Sequence, residues 1–410
     1  MDTAPNVAVP RPTDGPWPPL GWEERAWRST LPPDLFSRSA REALRKPYRA
    51  AVTPLIADLD VHLPRATAAA AEDASAAIRD FDADAAGDVA PFAAILLRSE
   101  SASSSQIENL TSGAKQVALA EIGEESRRNA VQIVGNVHAM QAAIALSRTI
   151  DGAAILAMHR ALLEEAEPET AGHWRTEQVW VGGTGYSPHG AAFVAPHPDR
   201  VPAAIDDLVA FAERDDIPPL VHAALTHAQF ETIHPFPDGN GRTGRALIHA
   251  LLRHRGLTRS VTVPVSAGLL VDTPAYFDAL TAYRQGDPAT IVDELARATH
   301  DAVANGRVLL ADLRAARDEW RSRIRARSDS SAWPLVELVL RQPVLNTATV
   351  QRELGISHTN AMRAIERLVA AGALAEVGGR RRSVLWQSTQ VLTALDGFAA
   401  RAGRRGLGRP

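Results

Sequence analysis

The stretch His234-Pro-Phe-Pro-Asp-Gly-Asn-Gly-Arg-Thr-Gly-Arg245 separates two segments whose apolar residues recur at helical spacing, Pro218–Ile233 and Gly241–His254. Its glycines permit a tight loop at the start of the second helix, where free backbone N–H groups and the positive end of the helix dipole attract anions. Arg242 and Arg245 are three positions apart, so both project from the first helical turn toward the same region. Two guanidinium groups beside an N–H cradle suit a polyphosphate better than a lone carboxylate.

The other side chains of this stretch add groups that can carry out chemistry. His234 precedes the loop, where a neutral imidazole can take a proton from an attacking hydroxyl. Asp238 can hold a Mg²⁺ that bridges phosphates, and Phe236 can anchor the loop in the core. Together these residues indicate nucleotidyl or phosphoryl transfer.

Other interpretations of the stretch are weaker. Gly239-x-Gly241-x-x-Gly244 satisfies the dinucleotide fingerprint, but that motif needs a preceding strand and an acidic residue about 20 positions later. Here a predicted helix precedes the glycines, and Thr258–Val263 contains no acidic residue. A phosphate-binding Walker loop needs Gly-Lys-Ser/Thr, which this stretch does not contain. His222 and His227 lack the spacing of zinc ligands, and we interpret them as structural groups on the helix surface or partly buried. A glycine-rich connection with two solvated arginines is the remaining alternative.

At all its fixed positions the stretch resembles the Fic motif HxFx(D/E)GNGRxxR. The resemblance implies a helical Fic fold, ATP and Mg²⁺ as cofactors, and transfer of AMP to a Tyr, Ser or Thr of a target protein. It also implies a role for each matching residue. These are the catalytic base His234, the metal ligand Asp238, the anchor Phe236, and the phosphate-binding Gly239, Asn240, Gly241, Arg242, Gly244 and Arg245.

A β-hairpin is predicted at Val181–His197, where small, apolar and turn residues alternate. It resembles the flap of Fic proteins, which aligns the target peptide over the motif by backbone pairing. Gly172 and Arg175 also fit the family's approach to the flap.

The segment Ser104-Ser-Gln-Ile-Glu108-Asn109 resembles the inhibitory motif (S/T)xxxE(G/N) of self-restrained Fic proteins. We expect Ser104 to cap a short helix that presents the Glu108 carboxylate one turn later. If that carboxylate reaches Arg245, it occupies the guanidinium group intended for the γ-phosphate. In some relatives this glutamate also supports removal of AMP. The alternative is an ordinary capped surface helix with Glu108 in water.

Composition places the chain among folded proteins that work in the cytoplasm. It has 410 residues, of which 45% are hydrophobic and 22% charged. It has no cysteine, which excludes disulfides, thiolate nucleophiles and Cys-ligated zinc. We find neither a signal peptide nor an apolar run of about 18 residues, so no membrane partner is expected.

Strand signals are sparse, so the fold class is mainly α. Pro54–Phe81 is predicted to be helical with a break at Pro64, and Ala114–Ser147 is predicted to be helical with an interruption at Gly123. The predicted regions are a disordered arm at 1–16, a helical N-terminal domain with the inhibitory motif at 17–112, a Fic core at 113–300, a helical linker at 301–332 and a winged helix-turn-helix at 333–410.

The C-terminal region is basic, with eleven arginines against five acidic residues from Trp333 onward, a net charge of +6 in a chain of −4. Its helix–turn–helix and hairpin pattern resembles a winged helix and favours DNA contact. Dimerisation or protein docking is the alternative. The expected DNA-contacting residues are His358, Thr359, Asn360 and Arg363 for base edges, and Arg380, Arg381 and Arg382 for phosphate.

The sequence therefore predicts a protein adenylyltransferase that uses ATP and acts on an unidentified target protein or on itself. Phosphotransfer by a reversed nucleotide, AMP removal, and a DNA-binding regulator with a nucleotide-sensing Fic domain stay open as alternatives. A homodimer also stays open.

Overall fold

The computed structural model describes residues 16–28, 44–86, 89–124, 127–377 and 384–403, together with the single residues 32, 37 and 42. The arm predicted at 1–16 lies outside this part of the chain except for its last residue, and so does the arginine cluster Arg380–Arg382. The described part is mainly helical, as the sequence predicts. None of its helices combines the length and apolarity needed to cross a lipid bilayer.

The helices and strands follow one another in the order given by their numbers. The helices are α1 (Arg65–Ala85), α2 (Val89–Ile107), α3 (Ala114–Glu121), α4 (Arg128–Ala145), α5 (Gly152–Leu163), α6 (Val201–Ala212), α7 (Pro219–Ile233), α8 (Asn240–His254), α9 (Val265–Leu269), α10 (Thr273–Arg284), α11 (Pro288–Arg323), α12 (Ala332–Arg341), α13 (Thr347–Leu354), α14 (His358–Ala370) and α15 (Thr389–Arg401). The strands are β1 (Gly21–Arg25), β2 (Tyr48–Val52), β3 (Trp180–Val181), β4 (Phe193–Val194), β5 (Val344–Asn346), β6 (Ala375–Val377) and β7 (Leu385–Gln387).

Helix α7 forms the centre of the core. Every residue from Leu220 to Ile233 is buried, because neighbouring helices cover all sides of α7. Helix α8 packs beside it, and α11, which is 36 residues long, also packs against it. This surrounding scaffold fixes the loop between α7 and α8, which is the stretch His234–Gly239.

Two of the helix predictions meet different outcomes. The helix expected before Pro64 is wrong: residues 53–64 contain no helix, and α1 begins only after Pro64. The Asp207 carboxylate accepts the backbone N–H groups of Ile56 at 2.7 Å and Ala57 at 3.2 Å, so the segment is held without helical hydrogen bonds. The interruption at Gly123 is confirmed, with a φ of 75° between α3 and α4.

An antiparallel pair of strands, β1 and β2, occurs in the N-terminal region that was predicted to be helical. It lies beside the β3–β4 hairpin, where Tyr48 packs with Val194 and Trp180. The Tyr48 hydroxyl also donates to the Gln178 side-chain oxygen at 3.0 Å. The N-terminal strands therefore support the hairpin from one side.

The C-terminal region contains the helices α12 to α15 and a three-stranded antiparallel sheet in the order β5-β7-β6, whose first strand lies between α12 and α13. Gly355, with a φ of 63°, makes the turn between α13 and α14. This region packs on α2 and α3. The Gln342 side chain donates to the Ala118 carbonyl at 2.8 Å and accepts from Arg98 of α2 at 3.1 Å.

Candidate active site

The loop between α7 and α8 is closed by its own side chains. His234 ends α7 in the left-handed region at φ 51°, and Gly239 has a φ of 77° just before α8. The Asn240 side chain accepts the Phe236 N–H at 2.9 Å and donates to the Phe236 carbonyl at 2.8 Å. Phe236 is fully buried, so the loop is anchored in the core. The side-chain amide of Asn240 is therefore engaged within the loop.

His159 of α5 supports the same loop from below. Its ring stacks flat on Phe236, with centroids 3.6 Å apart. The Gly172 N–H donates to its Nδ1 at 2.9 Å, so its Nε2 carries the proton and donates to the Asp238 carbonyl at 3.0 Å. Burial lowers the pKa of His159 to about 4, which keeps the ring neutral in this tautomer. Sequence reasoning missed His159 because it lies far from the loop in the chain.

The His234 ring is prepared to accept a proton. Its Nδ1–H donates to the Glu231 carbonyl at 3.3 Å, because a carbonyl can only accept. The lone pair therefore lies on Nε2. Burial lowers the pKa of His234 to about 4, so the imidazole is neutral at physiological pH.

A cleft of about 400 Å³ opens above this loop. It brings together most of the residues predicted for the site: His234, Asp238, Gly239, Asn240, Gly241 and Arg245, with Glu108 from the inhibitory motif. Arg242 is placed differently, since it does not line the cleft and its almost fully buried guanidinium group donates to Asp238 at 2.9 Å. Gly244 lies against α7, where a Cβ would come within 3.0 Å of the Phe230 ring.

Arg245 is fully buried, and its hydrogen bonds to the N-terminal region come from the end of α2. Its Nε donates to the Ser104 hydroxyl at 2.8 Å, and its Nη2 donates to the Ser104 carbonyl at 2.7 Å and to Glu108 Oε1 at 2.9 Å. The expectation that Ser104 caps a short helix is wrong, because α2 continues to Ile107 and Ser104 lies in its last turn. The polar run Ser103–Ser105 is buried, so tertiary packing keeps it helical.

The Glu108 carboxylate lies directly over the start of α8. A Cβ on Gly241 would come within 2.0 Å of Glu108 Oε1, so only glycine leaves room for the carboxylate there. Glu108 thus lies at the N-terminus of α8, where the helix dipole attracts anions, and also pairs with Arg245. The alternative of a surface helix with Glu108 in water does not describe this contact.

Residues 149–252 match the Fic/DOC family. Curated relatives are named protein adenylyltransferases. They include fic-1 of Caenorhabditis elegans, 33% identical over 147 residues, and Fic of Drosophila willistoni, 37% identical over 102 residues. The matches cover 35% and 25% of this chain, and only 26% and 19% of those relatives.

The fold also resembles a solved Fic protein. The crystal structure of a Fic family protein from Desulfovibrio desulfuricans G20 aligns with 80% of this chain and 97% of its own, with a TM-score of 0.50 and 21% identity. At this identity the likeness concerns the fold alone. It extends well beyond the segment that matches the family.

Arg175 ties the β3–β4 hairpin, the segment predicted to be the flap, to the loop between α7 and α8. This buried guanidinium group donates to the carbonyls of His234 at 2.8 Å and Glu177 at 2.9 Å, and also to that of Pro196. Glu177 and Pro196 lie at the two ends of the segment that contains β3 and β4. Arg175 therefore fixes the base of the flap relative to the residue that ends α7.

Asp238 is the carboxylate in the loop between α7 and α8 whose chemistry fits a metal ion. Its side chain is 53% exposed and faces the cleft. Within the described ranges, no three His, Asp or Glu side chains converge as a preformed metal site. Mg²⁺ is commonly bound by one or two carboxylates together with substrate phosphates, so Asp238 fits a Mg²⁺ that arrives with a nucleotide.

The remaining predicted residues lie outside the cleft. His222 and His227 are fully buried, not at the helix surface. The His222 Nε2–H donates to the Phe211 carbonyl at 2.8 Å, and His227 Nε2 shares a hydrogen bond of 2.8 Å with the Tyr276 hydroxyl. The predicted DNA-contacting residues of α14, all exposed, are His358, Thr359, Asn360 and Arg363.

Proposed function

We propose that this chain is a protein adenylyltransferase that moves AMP from ATP to a hydroxyl of a protein and is restrained by Glu108. The observation that carries the proposal is the contact of Glu108 with Arg245 and Gly241 in the cleft that also contains the neutral His234. A carboxylate in that position competes with a phosphate group for the same donors. The names of the curated relatives support the same activity.

The residues of the loop divide the reaction between them. His234 Nε2 takes the proton of the target hydroxyl as its oxygen attacks the α-phosphorus, and the bond to the leaving pyrophosphate breaks. The N-terminal amides of α8 and the freed Arg245 hold phosphate oxygens. Asp238 would hold Mg²⁺, which neutralises phosphate charge when bound.

The flap supplies the binding site for the target segment. Val181 is 44% exposed and lines the cleft together with Phe193. An extended target segment can add to this short hairpin through backbone hydrogen bonds, which positions a hydroxyl near His234. Such pairing leaves the choice of target to side-chain contacts.

Label transfer from ATP tests the reaction class. The Glu108→Gly variant is incubated with α-labelled or γ-labelled ATP, with Glu108→Gly/His234→Ala as the inactive control. AMP transfer predicts protein-bound label from the α position and a mass gain equal to one AMP. Label retained only from the γ position would show phosphotransfer instead.

The C-terminal region favours a second activity, contact with DNA. The exposed positions His358, Asn360 and Arg363 lie at the start of α14, and this region carries the net charge of +6 described above. A mobility-shift assay with DNA from the chain's own promoter region tests this activity with and without ATP. Asn360→Ala should weaken a specific shift, while an unchanged shift would exclude α14 as the reading helix.

A further inference from the structure

Glu231 is a buried carboxyl group in the cleft that no part of the motif accounts for. It lies on α7 one turn before His234 and lines the same cleft. Its side chain is 8% exposed, and its Oε1 atom is buried without a hydrogen-bond partner. An unpaired buried carboxylate oxygen is costly, so its retention needs a compensating role.

The other oxygen of Glu231 faces the catalytic ring. Glu231 Oε2 lies 4.0 Å from His234 Nδ1, the nitrogen that carries the proton. When Nε2 takes a proton, the His234 ring carries two protons, and its positive charge is shared between Nε2 and Nδ1. A carboxylate at this distance stabilises that charge, and the low dielectric of a buried site strengthens the effect.

Other charged and titratable groups surround Glu231. They are Arg245 on α8, Glu108 after α2, Tyr276 and Arg284 on α10, and His227 on α7 itself. Arg245 already pairs with Ser104 and Glu108. Arg284 is stacked on the flap residue Phe193 at 3.8 Å. Arg284 donates to the main-chain carbonyl of Glu231 at 3.4 Å, and neither guanidinium group donates to the Glu231 carboxylate. His234 Nδ1 lies 4.0 Å from that carboxylate.

We propose that Glu231 is a positioning residue that stabilises the protonated ring of His234 during transfer. This inference rests on the proposed function and deepens it. The proton leaves the target hydroxyl for Nε2, the hydroxyl electron pair forms the bond to phosphorus, and the Glu231 carboxylate remains ionised throughout as the counter-ion of the ring.

Burial raises the pKa of Glu231 to about 7, while that of His234 is lowered to about 4. The carboxylate is therefore present above pH 7 and is lost as the pH falls through that value, where the His234 ring is still neutral. The fall of kcat at acidic pH, the acid limb of its pH profile, should consequently follow the protonation of Glu231. In Glu231→Gln that limb should move toward the lower pKa of His234.

The kinetic test compares Glu108→Gly with Glu108→Gly/Glu231→Gln and with a matched control, Glu108→Gly/Glu213→Gln, whose carboxylate is exposed at the end of α6. The glutamine at 231 should lower kcat on the order of tenfold at pH 8, with KM for ATP within about twofold. The control should match the parent. A rise in KM with unchanged kcat would show that Glu231 acts on nucleotide binding through Arg245, and it would overturn the proposal.

A spectroscopic test does not depend on turnover. The NMR chemical shifts of the His234 ring, identified by the loss of these signals in His234→Ala, should show an inflection near pH 7 in the full chain. Glu231→Gln should abolish that inflection while circular dichroism stays unchanged. Persistence of the inflection in the glutamine variant overturns the inference. If no variant transfers AMP but the inflection follows Glu231, the proposed reaction fails and the coupling between the two side chains stands.

Discussion

Replacing Glu108 with glycine removes the only carboxylate that the structure places against both Arg245 and the first turn of α8 among the described residues. Arg245 would keep its two hydrogen bonds to Ser104, so its guanidinium group stays in place. The Nη2 hydrogen that Glu108 no longer accepts and the N-terminal amides of α8 can then bind a phosphate group. We therefore expect higher AMP transfer from an intact site.

The size of the effect follows from the one contact that is lost. A hydrogen bond between charged groups contributes about 1.5–3 kcal/mol. Because the Glu108 side chain is 38% exposed, solvent screening favours the lower value. About 1.4 kcal/mol corresponds to a factor of ten, so Glu108→Gly should raise the rate roughly tenfold. Glu108→Gln keeps a neutral hydrogen bond and should give a rise of only about threefold.

Intact-mass spectrometry after incubation with ATP measures automodification over time. Gln106→Gly is the matched control, because it adds the same backbone freedom at the end of α2 but leaves the carboxylate in place. Equal rates for the parent, Glu108→Gly and Glu108→Gln would refute the reasoning. So would a rise in Gln106→Gly equal to that of Glu108→Gly, since backbone loosening would then suffice.

Further predictions concern three buried contacts. Arg175→Lys cannot reach all the carbonyls that Arg175 binds, so transfer should fall about tenfold or more at an unchanged helix content; a rate within twofold of the parent contradicts this. Gly241→Ala fills the space now taken by Glu108 Oε1. In the Glu108→Gly background it should still weaken ATP binding about tenfold, as measured by calorimetry, and an unchanged affinity would contradict this prediction. Gln342→Ala removes a partner of Arg98 and should lower the free energy of unfolding by about 1–3 kcal/mol in urea, and an unchanged midpoint would oppose it.

The conformation of the loop between α7 and α8 could be predicted from the sequence because its structure is local. The glycines, Asn240 and Phe236 close the loop through contacts within four residues of one another. The positions of Glu108 and Arg245 needed more, since 137 residues separate the two. Their pairing could be expected from a motif resemblance but not from spacing.

The parts that sequence reasoning missed depend on contacts between distant segments. Strands β1 and β2 are five residues each and are stabilised by pairing with each other and by packing on the flap region. Glu231 looks like an ordinary helix residue in the sequence. Its raised pKa arises from burial by surrounding helices, which no local pattern records. The polar end of α2 was misread for the same reason.

Helix α2 joins two ends of the molecule that are distant in sequence. Arg98 contacts Gln342 of the C-terminal region, and Ser104, less than two turns further along, holds Arg245. Thermodynamic linkage is reciprocal. If the proposed nucleotide shifts α2 and thereby alters the DNA binding proposed for the C-terminal region, DNA must change the nucleotide affinity by the same factor. Measuring both affinities, each with and without the other ligand, would show whether α2 transmits such cooperativity, and equal affinities would exclude it.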